Sequence, residues 1–214
     1  MRLAITQRVE VVASHGERRD CLDQQWATFL ESLGFSMLPV PNNLDSPVDW
    51  LEALEVDGLL LTGGNDIAGL PGASNVAPER DQTETALLTA ASERQMPVLG
   101  VCRGMQMMNH WLGGALEPVT GHTAVRHQLN GRPTEPGLEA FRDVNSFHDW
   151  GIPSAGLAES LVAQLHSDDG YVEAFIHKSL PWAGIMWHPE REAPFCEPDR
   201  TIVHRVFRER LCKH

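Results

Sequence analysis

Short apolar segments alternate with segments of helical periodicity through the first half of this 214-residue chain. Three of the apolar runs lie at 3–6, 57–64 and 97–101, and each is followed by residues whose apolar side chains recur every three or four positions. A β-α repeat of this kind places helices on both faces of a parallel sheet, which excludes all-α and all-β architectures. The order therefore predicts an α/β fold with a mostly parallel central sheet.

The remaining elements are predicted from the same two periodicities. Helices are predicted at 21–34, 49–55, 80–95, 103–112 and from Pro198 onward, and further strands at 35–40, 124–129, 140–147, 161–167, 171–178 and 182–187. Val203, Val206, Phe207 and Leu211 share one side of the last helix. Because no repeat or Ser/Gly linker divides the sequence, we expect residues 1–214 to form one domain.

The composition argues against several classes of partner. The sequence has 17 Lys and Arg against 29 Asp and Glu, a formal net charge of −12, whereas a nucleic-acid binder needs clustered positive charge. No apolar stretch reaches the length of about 18 residues that a membrane span needs, and Gln7, Arg8 and Glu10 interrupt any signal-peptide core. We therefore expect a cytoplasmic protein with no nucleic-acid or membrane partner. The sequence leaves open whether the chain forms a homodimer.

One of the four cysteines, Cys102, lies in a sequence that favours chemistry. Gly100-Val101-Cys102-Arg103-Gly104 joins a predicted strand to a predicted helix, and a nucleophile on such a turn is exposed at the edge of the sheet. The helix N-terminus favours the thiolate, and its free N–H groups can stabilise an oxyanion. The alternative is a buried structural thiol. Cys21, Cys196 and Cys212 lack this setting, and the spacing of the four predicts neither a zinc site nor a disulfide framework.

A thiolate nucleophile usually needs a base and a residue that orients the base. His188 and Glu190 follow an apolar strand, and positions i and i+2 of a strand project to the same side. Glu190 can therefore hold the imidazole of His188 while the imidazole faces Cys102. On its own, a His-x-Glu pair is more often a solvated strand end, but together with the Cys102 turn it predicts a catalytic triad.

Four segments together resemble the class I glutamine amidotransferase-like superfamily and, within it, the stand-alone γ-glutamyl hydrolases. They are TGGND (62–66), GVCRGMQ (100–106), NSFH (145–148) and GIMWHPE (184–190), and they occur in the family's order. The resemblance spans nearly the whole chain. It implies a flavodoxin-like three-layer sandwich and a Cys-His-Glu triad at Cys102, His188 and Glu190.

The resemblance also implies which groups surround the triad. Backbone N–H groups of Gly64 and Arg103 match the oxyanion hole. The residues that match substrate-binding positions are Gln106 for the γ-glutamyl group, Ser146 and Phe147 for its amino-acid end, and His148 in the same NSFH segment. No cofactor is implied. The irregular spacing of His122, His127 and His148 argues against a metal site, so no metal is expected.

Class I members either release ammonia from glutamine for a synthetase or hydrolyse a γ-glutamyl amide. The chain has no GxxxxGK loop for ATP, and its GVCRGMQ segment resembles the hydrolases. Segments 5–8, 15–26, 145–152, 172–178 and 184–192 resemble hydrolases that cut γ-glutamyl-CDP-amidate into glutamate and cytidine diphosphoramidate in capsule phosphoramidate synthesis. Three alternatives stay open: a γ-glutamyl-γ-aminobutyrate hydrolase, the glutaminase subunit of a synthetase, and a catalytically silent binding module.

A small-molecule substrate that carries a nucleotide diphosphate would need cationic partners, and guanidinium groups bind phosphate oxygens in a bidentate manner. Arg8 follows the first predicted strand, so we expect it to point toward the site. Arg18 and Arg19 lie in the predicted loop that follows and could close over the site, although a solvated loop is the simpler interpretation.

Overall fold

The computed structural model describes residues 1–209. The strands in this range are β1 (Arg2–Ile5), β2 (Arg8–Val11), β3 (Arg18–Cys21), β4 (Ser36–Pro39), β5 (Gly58–Leu61), β6 (Val98–Val101), β7 (Glu117–Pro118), β8 (Thr123–Asn130), β9 (Asp143–Phe147), β10 (Trp150–Gly151), β11 (Leu161–Ser167), β12 (Val172–His177) and β13 (Trp182–Ile185). The helices are α1 (Gln25–Ser32), α2 (Pro47–Ala53), α3 (Pro78–Glu93), α4 (Arg103–Trp111) and α5 (Glu197–His204), which a π-helical turn at Arg205–Glu209 extends.

Nine strands form one sheet in the order β4-β1-β5-β6-β13-β12-β11-β8-β9. The five strands from β4 to β13 pair in parallel, and the connections between them include helices. From β13 to β9 the pairing is antiparallel. The predicted α/β fold of the flavodoxin-like, class I glutamine amidotransferase-like type is confirmed. Of the strands predicted after residue 113, the one at 182–187 completes the parallel part, and the others form its antiparallel extension.

Helices cover both faces of the sheet because its strands are apolar on both sides. In β1, Leu3 and Ile5 pack in the layer that contains α1 and α5, whereas Ala4 packs in the layer that contains α2, α3 and α4. This alternation follows the two-residue period of a strand. The longest of these helices, α3, has 16 residues, and none within residues 1–209 is long and apolar enough to cross a bilayer.

The first helix begins later than predicted, because the residues before it form a hairpin. β2 pairs with β3 in antiparallel register, with Val9 buried between exposed neighbours, and α1 begins at Gln25. Arg18 and Arg19 therefore lie on a strand, and the prediction of a loop at these positions is wrong. The predicted roles of Leu211 and Cys212 fall outside the described residues.

The parallel strands bring the chemistry-bearing segments to one edge of the sheet. Strands β1, β5, β6 and β13 end next to one another, since they are neighbours in the parallel part of the sheet. The segments that follow them contain Arg8, Gly64, Cys102 and His188. The carboxyl edge of an open α/β sheet is where ligands bind in this class of fold.

Candidate active site

Cys102 lies on the sharp turn between β6 and α4. Its backbone has φ 53° and ψ −112°, a combination that is strained for a residue with a Cβ. The Cys102 N–H donates to the carbonyl of Ile185 at 2.8 Å, which ties the turn to the end of β13. Gly104 lets α4 approach β5, because a Cβ at this position would overlap the carbonyl oxygen of Leu61. Close packing of the helix on the strand therefore holds the thiol in this conformation.

His188 is buried and is held from two sides. Its Nδ1 lies 2.7 Å from Oε1 of Glu190, which is buried as well. Asn145 donates to the carbonyl of His188 at 2.8 Å and accepts from its N–H at 2.9 Å. The ring nitrogen Nε2 has no hydrogen-bond partner among the described residues. This nitrogen is thus available for proton transfer. The sequence analysis quoted Asn145 within NSFH but gave it no role.

The two buried groups Cys102 and His188 favour each other's charged form. Burial alone would raise the pKa of the Cys102 thiol. The positive charge and hydrogen bond of His188, with smaller contributions from His148 and the Arg103 N–H, together lower the pKa. Burial alone would lower the pKa of His188, but the Cys102 thiolate and the Glu190 carboxylate raise the pKa to about 9. The two shifts favour the thiolate form of Cys102 and the imidazolium form of His188.

The turn after β5 lies directly against His188. A Cβ at Gly63 would lie 2.8 Å from Cε1 of His188, and one at Gly64 would lie 2.7 Å from Cδ of Arg8. Gly64 also has φ +85°, which favours glycine. Both glycines are therefore required if the turn is to approach the imidazole and Arg8 this closely.

A buried arginine that the sequence analysis missed fixes this turn. Arg80 of α3 donates to the carbonyls of Thr62, Gly63 and Gly64 at 2.6, 3.0 and 2.5 Å. Its Nε lies 2.9 Å from Oε1 of Glu84, one helical turn later. The Arg-x-x-x-Glu spacing in a predicted helix was the available signal, but this spacing is also common on solvated helix faces.

Arg103, the residue after Cys102, has its side chain directed away from the thiol. The guanidinium pairs with Glu84 and Asp81 beneath the surface, so only the backbone of Arg103 faces Cys102. Its N–H hydrogen bond is among the interactions that lower the pKa of the thiol. The Arg103 N–H is suitably placed for an oxyanion hole, because it can also donate a hydrogen bond to a negatively charged oxygen next to the sulfur.

A cleft of about 500 Å³ has His188 and Glu190 in its wall. It is lined by Arg8, Cys21, Leu22, Asp23, Gln24, Trp26, Thr62, Gly63, Gly64, Phe147, His188, Glu190 and Arg191. The Arg191 guanidinium lies over the Phe147 ring, 4.5 Å from its centroid. Arg18 and Arg19 instead pair with Glu79 and Glu17 outside this cleft.

The residues predicted to bind substrate lie in two environments. Arg8 and Phe147 line the cleft, and the Phe147 carbonyl lies 4.0 Å from Sγ of Cys102. The side chains of Gln106, Ser146 and His148 are buried and bond within the protein. Gln106 donates to the Trp150 carbonyl at 2.8 Å, and Ser146 donates to the His122 carbonyl at 2.6 Å.

His148 belongs to a compact group of histidines. The ring centroids of His122 and His127 are 4.3 Å apart, and those of His122 and His148 are 4.9 Å apart. Their irregular spacing in the sequence did not predict this proximity, which arises because β8 and β9 pair in antiparallel fashion and bring residues distant in sequence together. Loop spacing in the sequence carries no information about this pairing.

Comparisons with known proteins agree with the fold. The Peptidase C26 family model matches residues 3–190. The γ-glutamyl-CDP-amidate hydrolase of Campylobacter jejuni is 32% identical over 193 residues, which cover 90% of this chain and 91% of that protein. The γ-glutamyl-γ-aminobutyrate hydrolase of Escherichia coli O157:H7 is 29% identical over 210 residues, which cover 82% and 80%.

A solved structure shows the same architecture. The glutamine amidotransferase from Thermotoga maritima superposes with a TM-score of 0.65 at 17% identity, covering 96% of this chain and 82% of that one. The likeness shows the fold, and the sequence relatives support a hydrolytic enzyme. The family match covers most of the chain, from β1 to the residue that orients His188. The chain therefore belongs to the Peptidase C26 family, within the class I glutamine amidotransferase-like superfamily.

Proposed function

We propose that this protein hydrolyses a γ-glutamyl amide with Cys102 as nucleophile, His188 as acid and base, and Glu190 as the residue that orients His188. The observation that carries the proposal is the buried Cys102 on the strained turn after β6, next to a buried His188 whose Nδ1 lies 2.7 Å from Oε1 of Glu190. A merely structural cysteine would have no need of a neighbour that lowers its pKa. Family membership supports the same class of reaction.

The reaction begins when the Cys102 thiolate attacks the γ-carbonyl carbon and forms a carbon–sulfur bond. The N–H groups of Gly64 and Arg103 stabilise the resulting oxyanion. His188 then protonates the leaving nitrogen as the carbon–nitrogen bond breaks, which gives the free amine and a γ-glutamyl thioester. In the second half, a water molecule gives a proton to His188 and attacks the thioester. The carbon–sulfur bond breaks, glutamate leaves, and the thiolate–imidazolium pair is restored.

For the leaving group we infer a CDP-linked nitrogen, so that the substrate is γ-glutamyl-CDP-amidate and the products are glutamate and cytidine diphosphoramidate. The relative from Campylobacter jejuni supports this substrate. Two guanidinium groups, of Arg8 and Arg191, line the cleft beside the triad. The pairing of Arg8 with Glu10 at 2.8 Å is half exposed and hence weak, so a diphosphate can compete for this arginine.

A second candidate is γ-glutamyl-γ-aminobutyrate, which the relative from Escherichia coli favours. Its leaving amine carries a single carboxylate, for which one arginine of the cleft would suffice. The two substrates therefore differ in how many cationic contacts the cleft must supply. A CDP-linked substrate would use both guanidinium groups. If this substrate is correct, the enzyme acts in capsule phosphoramidate synthesis.

The substrate test offers purified protein γ-glutamyl-CDP-amidate, γ-glutamyl-γ-aminobutyrate and glutamine separately and measures glutamate release. We expect kcat/KM for the CDP conjugate to be at least about 10-fold higher than for the aminobutyrate compound and at least about 100-fold higher than for glutamine, because charge-assisted contacts contribute about 1.5–3 kcal/mol each. Preference for the aminobutyrate compound would overturn the nucleotide assignment. Preference for glutamine would identify a glutaminase, and no turnover of any amide would overturn the proposed function.

Two variants separate the chemistry from substrate binding. Cys102→Ala should stay folded and lose turnover of all three amides, while Cys196→Ala keeps it. Arg8→Met should raise KM for the CDP conjugate about 10-fold or more and change KM for the aminobutyrate compound less. Arg19→Met is the matched control, since Arg19 lies on the paired strand outside the cleft. Equal effects of the two arginine substitutions would remove Arg8 from the binding site.

A further inference from the structure

A second polar cluster lies beside the active site and outside its cleft. It consists of His122, His127, His148 and Glu173, and we refer to these four residues as the histidine cluster. One nitrogen or carboxylate oxygen from each residue lies within 4.8 Å of the corresponding atoms of the others. His122, His148 and Glu173 are 3%, 4% and 0% exposed, and His127 is half-buried. The mechanism proposed above uses none of these side chains.

The atoms that face one another in the cluster have no hydrogen-bond partner among the described residues. They are Nδ1 of His122, Nε2 of His127, Nε2 of His148 and both carboxylate oxygens of Glu173. The nearest approach, 3.6 Å between His148 Nε2 and Glu173 Oε1, is longer than a hydrogen bond. A buried carboxylate without donors is strongly unfavourable, and so are buried ring nitrogens without partners. A single cation at the centre would satisfy all of them.

The outer nitrogens of two rings are already held, which fixes how the inner nitrogens point. His122 Nε2 lies 2.7 Å from Oδ2 of Asp169, and the other oxygen of Asp169 accepts from Ser167 at 2.6 Å. His148 Nδ1 lies 2.9 Å from the carbonyl of Trp150. Since a carboxylate and a carbonyl accept only, each outer nitrogen carries the proton. Each inner nitrogen then presents a lone pair, which is the arrangement around metal-ligating histidines.

From this geometry we propose that the histidine cluster binds one divalent transition-metal ion, with Zn²⁺ as the best match. Three imidazole nitrogens and one carboxylate oxygen suit Zn²⁺, whereas Ca²⁺ and Mg²⁺ prefer oxygen donors only. Tetrahedral bonds of about 2.0–2.2 Å place neighbouring ligand atoms about 3.3 Å apart, so the 3.6 Å between His148 and Glu173 is near this value. The wider pairs, at up to 4.8 Å, need to close by up to about 1.5 Å.

Four protein ligands make a closed site, so the ion has a positioning role. It would connect the segment before β8, β8 itself, the residue after β9, and β12. His148 directly follows Phe147, whose carbonyl lies 4.0 Å from the nucleophile Cys102. A metal at His148 would therefore hold the strand that we expect to grip the amino-acid end of the substrate. Activity on γ-glutamyl amides would depend on the metal through KM more than through kcat.

The test uses the full chain after removal of metals with a chelator. Zn²⁺ is added in competition with a chromophoric chelator, and Co²⁺ is added in a second titration that is followed by visible absorption. We expect one equivalent of metal per chain and the intense absorption bands of four-coordinate Co²⁺. His127→Gln should weaken the affinity more than about 100-fold, and Asp169→Asn about 10- to 100-fold, because it acts on an outer-shell contact. His110→Gln, at an exposed position of α4, should bind like the parent.

The proposal would be overturned if the parent bound far less than one metal ion per chain, or if His127→Gln bound Zn²⁺ as tightly as the parent. Zn²⁺ can also bind a thiolate–imidazole pair, so Cys102→Ala is titrated in parallel. Binding that Cys102→Ala abolishes and His127→Gln retains would assign the metal to the nucleophile instead and would equally overturn the proposal. Because His127 is half-buried, its substitution is the one least prone to unfold the chain, and circular dichroism of each variant checks this.

Discussion

At the scale of single residues, Cys102 and Cys196 are two thiols of one chain in opposite electrostatic surroundings. His188 lowers the pKa of Cys102 against the effect of burial. Burial raises the pKa of Cys196 to about 12, and the neighbouring Asp199 adds to the increase. At pH 7 a thiol with that pKa is ionised in about one molecule in 10⁵. Only the thiolate reacts with alkylating reagents, so these two cysteines should differ in reactivity.

We therefore expect iodoacetamide at pH 7 to modify Cys102 at least about 100-fold faster than Cys196, as measured by peptide mass spectrometry over time. His188→Gln should slow the modification of Cys102, because it removes the positive charge that stabilises the thiolate. The same substitution should leave the rate at Cys21 unchanged, which serves as the internal control. Equal rates at Cys102 in the parent and in His188→Gln would contradict the thiolate–imidazolium pair.

Asp199 gives a second prediction at this scale. Burial raises its pKa to about 6, although its carboxylate accepts from Trp187 and Cys196. A carboxyl with a raised pKa in the folded state contributes stability that is fully present below its unfolded pKa of about 3.8 and is lost as the pH rises through about 6. The loss amounts to about 3 kcal/mol between pH 4 and pH 7.

Denaturant unfolding of the parent and of Asp199→Asn at pH 4 and pH 7 measures this loss. Asn keeps an oxygen acceptor for Trp187 but does not titrate. The stability advantage of the parent over the variant should therefore shrink as the pH rises, while the remaining carboxylates, which both proteins share, cancel in the difference. A constant difference across this range would show that Asp199 titrates alike in the folded and unfolded states.

At the scale of elements, the position of the nucleophile depends on how closely α4 packs on β5. A methyl group at Gly104 would overlap the carbonyl of Leu61, and backbone cannot move aside as a flexible side chain can. We expect Gly104→Ala to destabilise the fold by about 3 kcal/mol and to lower kcat, because α4 and the Cys102 turn must shift together. Denaturant unfolding and glutamate release measure the two effects.

The matched control on the same helix is Met107→Leu, a buried substitution that nearly conserves volume. It should destabilise by less than about 1.5 kcal/mol and keep kcat. If Gly104→Ala kept the parent's kcat despite losing stability, the close contact of α4 with β5 would matter for folding alone. The position of the thiol would then be set by the Cys102 backbone and by its bond to Ile185.

The same elements show what a sequence can predict. The turn at Cys102 was found because its features are local: an apolar strand, two glycines and a helix within a few residues. The hairpin at Arg18 was missed because residues 15–20 contain no apolar side chain and were therefore interpreted as a loop. The pairing of β3 with β2 is not encoded in that window. Arg80 and the histidine cluster were missed because their partners are distant in sequence and are brought together only by the packing of α3 and the pairing of β8 with β9.

At the scale of the whole molecule, the sheet has two parts that differ in how far their strands are buried. β5, β6 and β13 are buried along their full length between two helical layers. β8 is mostly exposed, and its register with β11 consists of two residue pairs, His166 with Asn130 and Ser167 with Leu129. The apolar burial that stabilises the parallel part is thus largely missing from β8. Stability across one sheet need not be uniform when burial differs this much.

Hydrogen exchange followed by mass spectrometry can measure this difference. In metal-free protein we expect amides of β8 and β9 to exchange through an opening that requires about 3 kcal/mol less than the opening of β6 and β13. One equivalent of Zn²⁺ should slow exchange in β8 and around His148, because a bound ion stabilises only the state that holds its ligands together. His127→Gln should exchange like the metal-free parent with or without Zn²⁺. Exchange of β8 together with β6 would instead show that the sheet opens as one unit, and packing of the extension would then be as strong as that of the parallel part.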